Sequence, residues 1–504
     1  MTALDLSSPV AVVGTGTMGQ GIAQVALVAG HPVRLYDAAP GLAKKAAEAI
    51  TARLDRLVAK GRLDADARDA AVGRLRTVDT TAGLDGCGLV VEAVLERLDV
   101  KQRLFQELEE VVSEDCLLAT NTSSLSVTAI AGALSRPGRF VGLHFFNPAP
   151  LLPLVEVVSG AATDEAAATR AYATAQAWGK TPVRCADTPG FVVNRVARPF
   201  YAEALRAYEE RVADPATIDA VLRECGGFAM GPFELTDLIG QDVNEAVTRS
   251  VWESFFQDPK FTPSLAQRRL VQAGHLGRKT GQGWYAYGDD APRPAPHTAG
   301  PADAPEAVTV HGELFQAAAL VGLIEGAGIR VDRDDTQGGP YPGWIELPSG
   351  TRLSLVGGGS PHAAAVPTVE FDLALDYAAA TRIALARDVR VGDQGLSEAV
   401  GLFQALGKEV SVVRATPGLI VARTVAMLVD FAHDAVARGV ATTDDVDTAM
   451  RLGVNYPRGP MTWGTALGLP WVAEFLDAVH GEYPTGRYAP SQGLRHAAAR
   501  EENG

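Results

Sequence analysis

The sequence predicts a doubly wound α/β domain followed by an all-α domain that occurs twice. Three observations predict it. Short apolar runs alternate with helix-period stretches up to about residue 187. From Gly190 onward the period is helical alone. Two segments far apart in the chain also match without a gap.

Val10-Ala11-Val12-Val13 is a short apolar run ending at a glycine, as a buried parallel strand does. Gly14 to Gly19 follow as a tight turn, Ile22 to Leu27 have helical spacing, and Gly30 ends that helix. Val33 to Tyr36 is the next strand and stops at Asp37. The Ala/Lys/Arg-rich stretch from Leu42 to Arg76 predicts a helical hairpin projecting from the sheet. Leu89 to Val91, Leu117 to Thr120, Phe140 to Leu143 and Val155 to Val158 are further strands. Strands alternating with helices make a doubly wound sheet. Helices are then predicted over Phe191 to Arg211, Pro215 to Glu224 and Pro232 to Phe256, closed by Gly281-Gln282-Gly283-Trp284-Tyr285. Asp289 to Pro305 contains five prolines and no apolar period, which predicts an extended, solvated spacer.

At a shift of 228 residues, the segment beginning at Trp178 lies over the one beginning at Leu406. Gly179 meets Gly407, Lys180 meets Lys408, Pro189 meets Pro417 and Gly190 meets Gly418. Asp219 meets Asp447, Gly231 meets Gly459 and Pro232 meets Pro460. Chance supplies one or two such matches, not this series on one offset. The expected layout is an α/β domain over 1–187, a first helical domain over 188–288 and a linker over 289–307. A reduced α/β segment without a GxGxxG over 308–410 and a second helical domain over 411–504 complete it.

Composition excludes several functions. Sixty Asp+Glu against 45 Lys+Arg give a formal charge of −15 in 504 residues. Such a field repels a phosphate backbone, so nucleic acid is an unsuitable partner. Cys87, Cys116, Cys185 and Cys225 form no CxxC pair and read as free thiols. No metal site is predicted. No basic stretch precedes the first apolar run, and no segment has the roughly eighteen apolar residues of a membrane span. A cytoplasmic protein with no membrane association is expected.

Gly14-Thr15-Gly16-Thr17-Met18-Gly19 fits GxGxxG, with a strand before it, a helix after it and an acid, Asp37, ending the next strand. Gly14 permits the turn, Gly16 admits a pyrophosphate to the backbone, and Gly19 lets helix and strand pack closely. Thr17 and Met18 open the helix, whose N-terminus attracts phosphate. Asp37 can accept ribose hydroxyls and repels a 2′-phosphate, which favours NAD over NADP. The alternative is a glycine-rich turn without nucleotide.

Four strings follow in order: Asn121-Thr122-Ser123-Ser124-Leu125, His144-Phe145-Phe146-Asn147-Pro148, Leu154-Val155-Glu156-Val157 and Pro189-Gly190-Phe191-Val192-Val193-Asn194-Arg195. With the N-terminal fingerprint they resemble the L-3-hydroxyacyl-CoA dehydrogenase family. The resemblance runs continuously from residue 10 to about 287 and, in degenerate form, through the second helical domain. It implies a Rossmann domain with a C-terminal domain like that of 6-phosphogluconate dehydrogenase. The two-copy layout resembles the branch acting on 3-hydroxyadipyl-CoA in phenylacetate catabolism. An alternative is a 3-hydroxybutyryl-CoA enzyme of short-chain or fatty-acid metabolism (β-oxidation). The resemblance implies an acyl-CoA partner and a homodimer.

The chemistry agrees with it. Oxidising a secondary alcohol needs a base near neutrality, and His144 supplies one, from a loop expected just after a strand. A lone histidine is otherwise more often structural. Glu156 can fix the tautomer of His144 and stabilise its imidazolium, or be an edge-strand surface charge. Ser123 and Asn194 can hydrogen-bond the substrate oxygen as charge develops on it, or merely cap a turn and a helix. The resemblance places Ala93, Glu96, Lys101 and Asn121 along the cofactor, with Lys101 reaching toward the ribose. A solvated helix start also explains Glu96 and Lys101. It places Asn147 near the substrate, and Lys60 on the hairpin near the CoA phosphates, where an exposed lysine is the plain alternative.

One departure stands out. Leu151-Leu152-Pro153-Leu154 lacks the lysine that the family carries before the glutamate strand. In the second copy Asn194 falls on Ala422, so that copy is expected to be non-catalytic and to pack on the first as an internal partner. A dinucleotide-binding structural protein is a competing reading, against which Ser123, His144, Glu156 and Asn194 together argue. A bifunctional enzyme with a hydratase domain is not expected, because no room for one precedes Val10.

Overall fold

The computed structural model describes residues 2–288, 291–334, 343–360, 362 and 365–502. Positions 289 and 290 of the predicted linker, and 335–342, 361, 363 and 364 of the predicted reduced α/β segment, lie outside the described residues, as do 503 and 504 of the second helical domain. The chain forms two compact units, Met1–Arg195 with Arg438–Val454, and Val196–Ala437 with Asn455–Gly504.

The first unit is built on an eight-stranded sheet of order β3-β2-β1-β4-β5-β6-β7-β8. Its strands are β1 (Val10–Val13), β2 (Val33–Tyr36), β3 (Leu75–Thr77), β4 (Leu89–Glu92), β5 (Leu117–Thr120), β6 (Phe140–Phe145), β7 (Leu154–Ser159) and β8 (Thr181–Ala186). All neighbours run parallel except β6 and β7. The helices are α1 (Thr17–Ala29), α2 (Leu42–Ala59), α3 (Ala65–Gly73), α4 (Leu98–Val111), α5 (Val127–Ala131), α6 (Glu165–Ala177) and α7 (Val193–Val196). β1 and β4 are buried at every position, as strands covered on both faces are.

The second unit begins with α8 (Arg198–Glu209), α9 (Pro215–Glu224), α10 (Pro232–Ile239), α11 (Gln241–Ser254) and α12 (Leu265–Gln272). A seven-stranded sheet of order β10-β9-β11-β12-β13-β14-β15 follows. It comprises β9 (Ala307–His311), β10 (Arg330–Asp334), β11 (Trp344–Glu346), β12 (Arg352–Leu355), β13 (Thr368–Phe371), β14 (Arg382–Arg387) and β15 (Glu409–Val413), with α13 (Ala319–Gly326) and α14 (Asp393–Ala405). The chain closes with α15 (Val421–Ala437), α16 (Thr443–Gly453), α17 (Pro460–Leu467), α18 (Leu469–Glu482) and α19 (Gln492–Glu502). Of these, α16 belongs to the first unit.

Four expectations change. The predicted hairpin stops at Gly73, and Leu75–Thr77 instead adds β3 to the sheet edge, Leu75 opposite Val33. The helix predicted over Phe191 to Arg211 is broken into α7 and α8, with Phe191 at φ 48° and Pro199 in the first turn of α8. The helix predicted over Pro232 to Phe256 breaks at Gly240, whose φ of 104° no helix accommodates. The spacer is extended but docked: Ala299 donates to the Val410 carbonyl (2.7 Å), His297 N–H to Thr217 Oγ1 (2.8 Å), and Ser411 Oγ to the His297 carbonyl (2.7 Å).

The repeat is explained by shared backbone needs. Gly179 and Gly407 both sit at left-handed φ (72° and 73°), as do Gly190 and Gly418 (76° and 77°). Lys180 Nζ donates to the Ala149 and Leu152 carbonyls, and Lys408 Nζ to those of Ala378 and Ala380, holding the same loop in each copy. The two helical copies pack through α8 and α15. A buried ion cluster ties them: Glu203 takes Arg487 (2.6 Å) and Arg423 (3.3 Å), and Arg423 also reaches Glu210 (2.9 Å).

Candidate active site

The glycine turn between β1 and α1 is shaped by steric necessity. Gly14 has φ 90°, and a Cβ there would lie 2.6 Å from the Ala93 carbonyl oxygen. A Cβ on Gly19 would lie 1.9 Å from the Gly14 carbonyl oxygen, so helix and turn touch directly. A Cβ on Gly16 would meet nothing within 4 Å. Gly16 caps α1 without a side-chain bond, leaving the N–H groups around Thr17 and Met18 to an incoming anion. A cleft of about 760 Å³ opens beside it, lined by Gly16, Asp37, Leu42, Ala93, Val94 and Arg103, among others. It lies where strand order reverses between β1 and β4.

Asp37 Oδ2 accepts from the Thr15 N–H (2.9 Å) and hydroxyl (2.7 Å), and Oδ1 from the Ala39 N–H (3.0 Å). Burial works against its charge, but these bonds outweigh burial and hold the carboxyl below the usual range. Oδ1, with one donor, keeps a lone pair for a ribose hydroxyl. Turn, helix end, cleft and acid fit a dinucleotide.

His144 and Glu156 are directly opposed across the antiparallel β6–β7 pair. His144 therefore sits within β6, not on a loop after it, and β7 is flanked on both sides, so Glu156 is no edge charge. His144 Nδ1 donates to Glu156 Oε2 at 2.7 Å. Glu156 is fully buried, and its Oε1 accepts from the N–H groups of Val192 (3.0 Å) and Val193 (2.9 Å). A carboxylate that only accepts fixes the proton on Nδ1, which leaves the Nε2 lone pair as base. Phe146 and Phe191 flank the ring at 4.5 and 5.8 Å.

Ser123 is half-buried on the turn after β5. Glu96 holds that turn: its Oε1 accepts from Thr122 Oγ1 (2.6 Å), Ser123 N–H (2.9 Å) and Ser124 N–H (3.1 Å). Burial opposes the Glu96 charge, but Lys101 and these donors lower its carboxyl below the ordinary value. Asn121 Oδ1 accepts the Phe145 N–H at 2.8 Å and so ties the serine turn to the histidine strand. Asn194 is half-buried on α7, next to the Val193 that binds Glu156.

Lys101 is not the solvated lysine of a helix start. It is fully buried, with Nζ 2.5 Å from Glu92 Oε1 and 3.3 Å from Glu96 Oε2. Sequence reasoning missed Glu92, a fully buried acid that also accepts from Thr120 Oγ1 (2.7 Å). Its one signal was a carboxylate ending an otherwise apolar strand. Asn147 is exposed on the turn after β6, and Lys60 is exposed at the end of α2. The four cysteines are buried and free, and burial pushes Cys87 up to about 11 and Cys116 to about 12.

The second copy has lost more than the asparagine. On the 228 offset His144 falls on Asp372 and Glu156 on Ala384. Asp372 is fully buried and accepts from the N–H groups of Ile420 (2.9 Å), Val421 (2.7 Å) and Ala422 (3.0 Å). Ile420 and Val421 are the counterparts of Val192 and Val193. The carboxylate that holds the helix start has moved to the histidine position, so no base faces outward.

Three family profiles match the chain. One described as 3-hydroxyacyl-CoA dehydrogenase, NAD binding domain, matches residues 9–188. The C-terminal domain of the same family matches 190–287 and again 418–504. A 3-hydroxybutyryl-CoA dehydrogenase reduced Rossmann-fold domain matches 360–417. The 3-hydroxyadipyl-CoA dehydrogenase of Escherichia coli K12 is 42% identical over 98% of both chains. Human mitochondrial hydroxyacyl-coenzyme A dehydrogenase is 40% identical over 55% of this chain and 90% of its own. A crystal structure of 3-hydroxybutyryl-CoA dehydrogenase from Escherichia coli K12 covers 99% of this chain and 100% of its own, with TM-score 0.89 and 42% identity. The chain thus belongs to the 3-hydroxyacyl-CoA dehydrogenase family of NAD-dependent oxidoreductases that act on a CH–OH group.

Proposed function

We propose that this chain oxidises a (3S)-3-hydroxyacyl-CoA to the 3-oxoacyl-CoA, with 3-hydroxyadipyl-CoA as its substrate in phenylacetate catabolism. The observation that carries the reaction is the buried His144–Glu156 pair, one ring nitrogen fixed and the other left as base. His144 Nε2 takes the hydroxyl proton, and Glu156 stabilises the imidazolium that forms. Ser123 and Asn194 hold the substrate oxygen as its charge changes. NAD, when bound, supplies the hydride acceptor. Gly14, Gly16, Thr17, Met18, Gly19 and Asp37 are the residues to hold its adenosine and phosphates. Ala93, Glu96, Lys101 and Asn121 are the residues along the rest of it. Asn147 and Lys60 are assigned to the acyl-CoA.

The adipyl reading is supported by the relative that matches across both copies. A butyryl reading is favoured by the crystal structure that matches over the same length. Comparing kcat/KM for 3-hydroxyadipyl-CoA and 3-hydroxybutyryl-CoA separates them. We expect the substrate with the terminal carboxylate to be preferred by about tenfold or more, a difference of roughly 1.4 kcal/mol. Equal values, or preference for the butyryl thioester, would favour the second reading. The family resemblance supports a homodimer, and four buried free thiols support a reducing compartment, the cytoplasm. Among the described residues no helix is long and apolar enough to cross a membrane.

A further inference from the structure

Helix α16 follows α15 in the second helical copy, yet it is part of the first unit. On the 228 offset it is the counterpart of α9. It packs on β7 and β8. The Ala186 N–H donates to the Val440 carbonyl just before it (2.8 Å), and Gly453 ends it. A Cβ on Gly453 would lie 2.7 Å from Leu154 Cδ2 and 3.0 Å from Val193 Cγ2. Gly453 does not have a left-handed φ, so the backbone does not require glycine there. The close approach does.

Both residues it touches lead to the candidate base. Leu154 opens β7, two positions before Glu156. Val193 opens α7, its N–H binds Glu156 Oε1, and Asn194 is the next residue. Leu154 and Val193 are buried, at 0% and 2% exposure, so neither can turn aside into solvent. Glu156 in turn holds His144 Nδ1.

We propose that Gly453, at the end of a helix contributed by the second copy, is a positioning residue for the dehydrogenase reaction. It lets α16 brace Val193, and through Val193 it sets the register of Glu156, His144 and Asn194. The non-catalytic copy thereby takes part in the chemistry of the first. This rests on the roles proposed above for His144 and Glu156.

The test uses the full chain as Gly453→Leu, Gly453→Ala and Gly453→Leu with Leu154→Ala, beside His144→Ala. For Gly453→Leu we expect kcat to fall about 10- to 100-fold, as a small misplacement of catalytic groups does. NADH affinity should hold within about twofold, and the acid limb of the kcat/KM profile should move as the Glu156 contact loosens. Gly453→Ala should show the same changes to a smaller degree and serves if the leucine variant does not fold. Removing the Leu154 side chain should restore part of kcat. Unchanged kcat and pH profile in a folded Gly453→Leu or Gly453→Ala variant would overturn the proposal. So would a loss of kcat that Leu154→Ala does not relieve in a protein with normal NADH affinity. If His144→Ala keeps its turnover, the reading of the base fails. If that variant is inactive while both Gly453 variants are normal, only the brace fails.

Discussion

At the residue scale, the groups proposed for chemistry are each held by a neighbour that the sequence leaves far away. His144 is oriented by Glu156, Glu156 by the N–H groups of Val192 and Val193, and Ser123 by Glu96. Glu96 Oε1 accepts from four donors of its turn, the hydroxyls of Thr122 and Ser124 and the N–H groups of Ser123 and Ser124, so its charge matters more than its shape. Glu96→Gln should therefore lower kcat about tenfold with little change in melting temperature, because a misplaced turn costs transition-state contacts. The carboxyl lies below its ordinary value, so its hold is complete at neutral pH. It is lost only as pH falls through that lowered value. An unchanged kcat at neutral pH in the glutamine variant would count against this role. The glycine turn and Asp37 were legible because one turn and one strand bring them together. Glu92 and the burial of Lys101 were not, because β4 and α4 close over them only in the folded unit.

Elements were legible where their ends are marked locally. Proline starts α9 and α10, and glycine ends α1, as the sequence indicated. The misses have tertiary causes. β3 is a strand because β2 offers it an edge, and His144 lies within a strand because β7 pairs beside it. The spacer has a strand's extended course because β15 offers hydrogen bonds to it. The α8–α15 contact was expected only as a packing of copies, and its charged centre was not foreseen. Glu203 is 1% exposed between Arg423 and Arg487, themselves 0% and 1% exposed. Removing one partner of a buried pair leaves an uncompensated charge, which costs about 3–5 kcal/mol. Glu203→Ala should lose about that much stability in denaturant unfolding, while Glu474→Ala, at an exposed position of α18, should change it by less than about 0.5 kcal/mol. A Glu203→Ala protein of normal stability would mean that the cluster contributes little.

At the scale of the whole molecule, the C-terminal domain of the family occurs twice, over 190–287 and 418–504, and we propose that the first copy alone serves the chemistry. Copy two retains Gly407, Lys408 and Gly418, which serve backbone and loop, and also Asp447. It replaces His144, Glu156 and Asn194 by Asp372, Ala384 and Ala422, and Asp372 takes over the buried hydrogen bonds of Glu156. The exchange keeps the buried hydrogen bonds and, if His144 is the base, removes it. The charge of −15 fits the proposal, since NAD and CoA are anionic and the α1 N-terminus beside the cleft offers the first a local positive end despite that overall field. The proposed function gives this chain one dehydrogenase site, centred on His144. The direct measurement is steady-state loss of NADH absorbance with a 3-oxoacyl-CoA, for the full chain and its His144→Ala variant. For His144→Ala, kcat should fall about 10²- to 10⁴-fold while NADH affinity is unchanged. Turnover within a few-fold of the unaltered chain would contradict it, for then the proton is taken elsewhere.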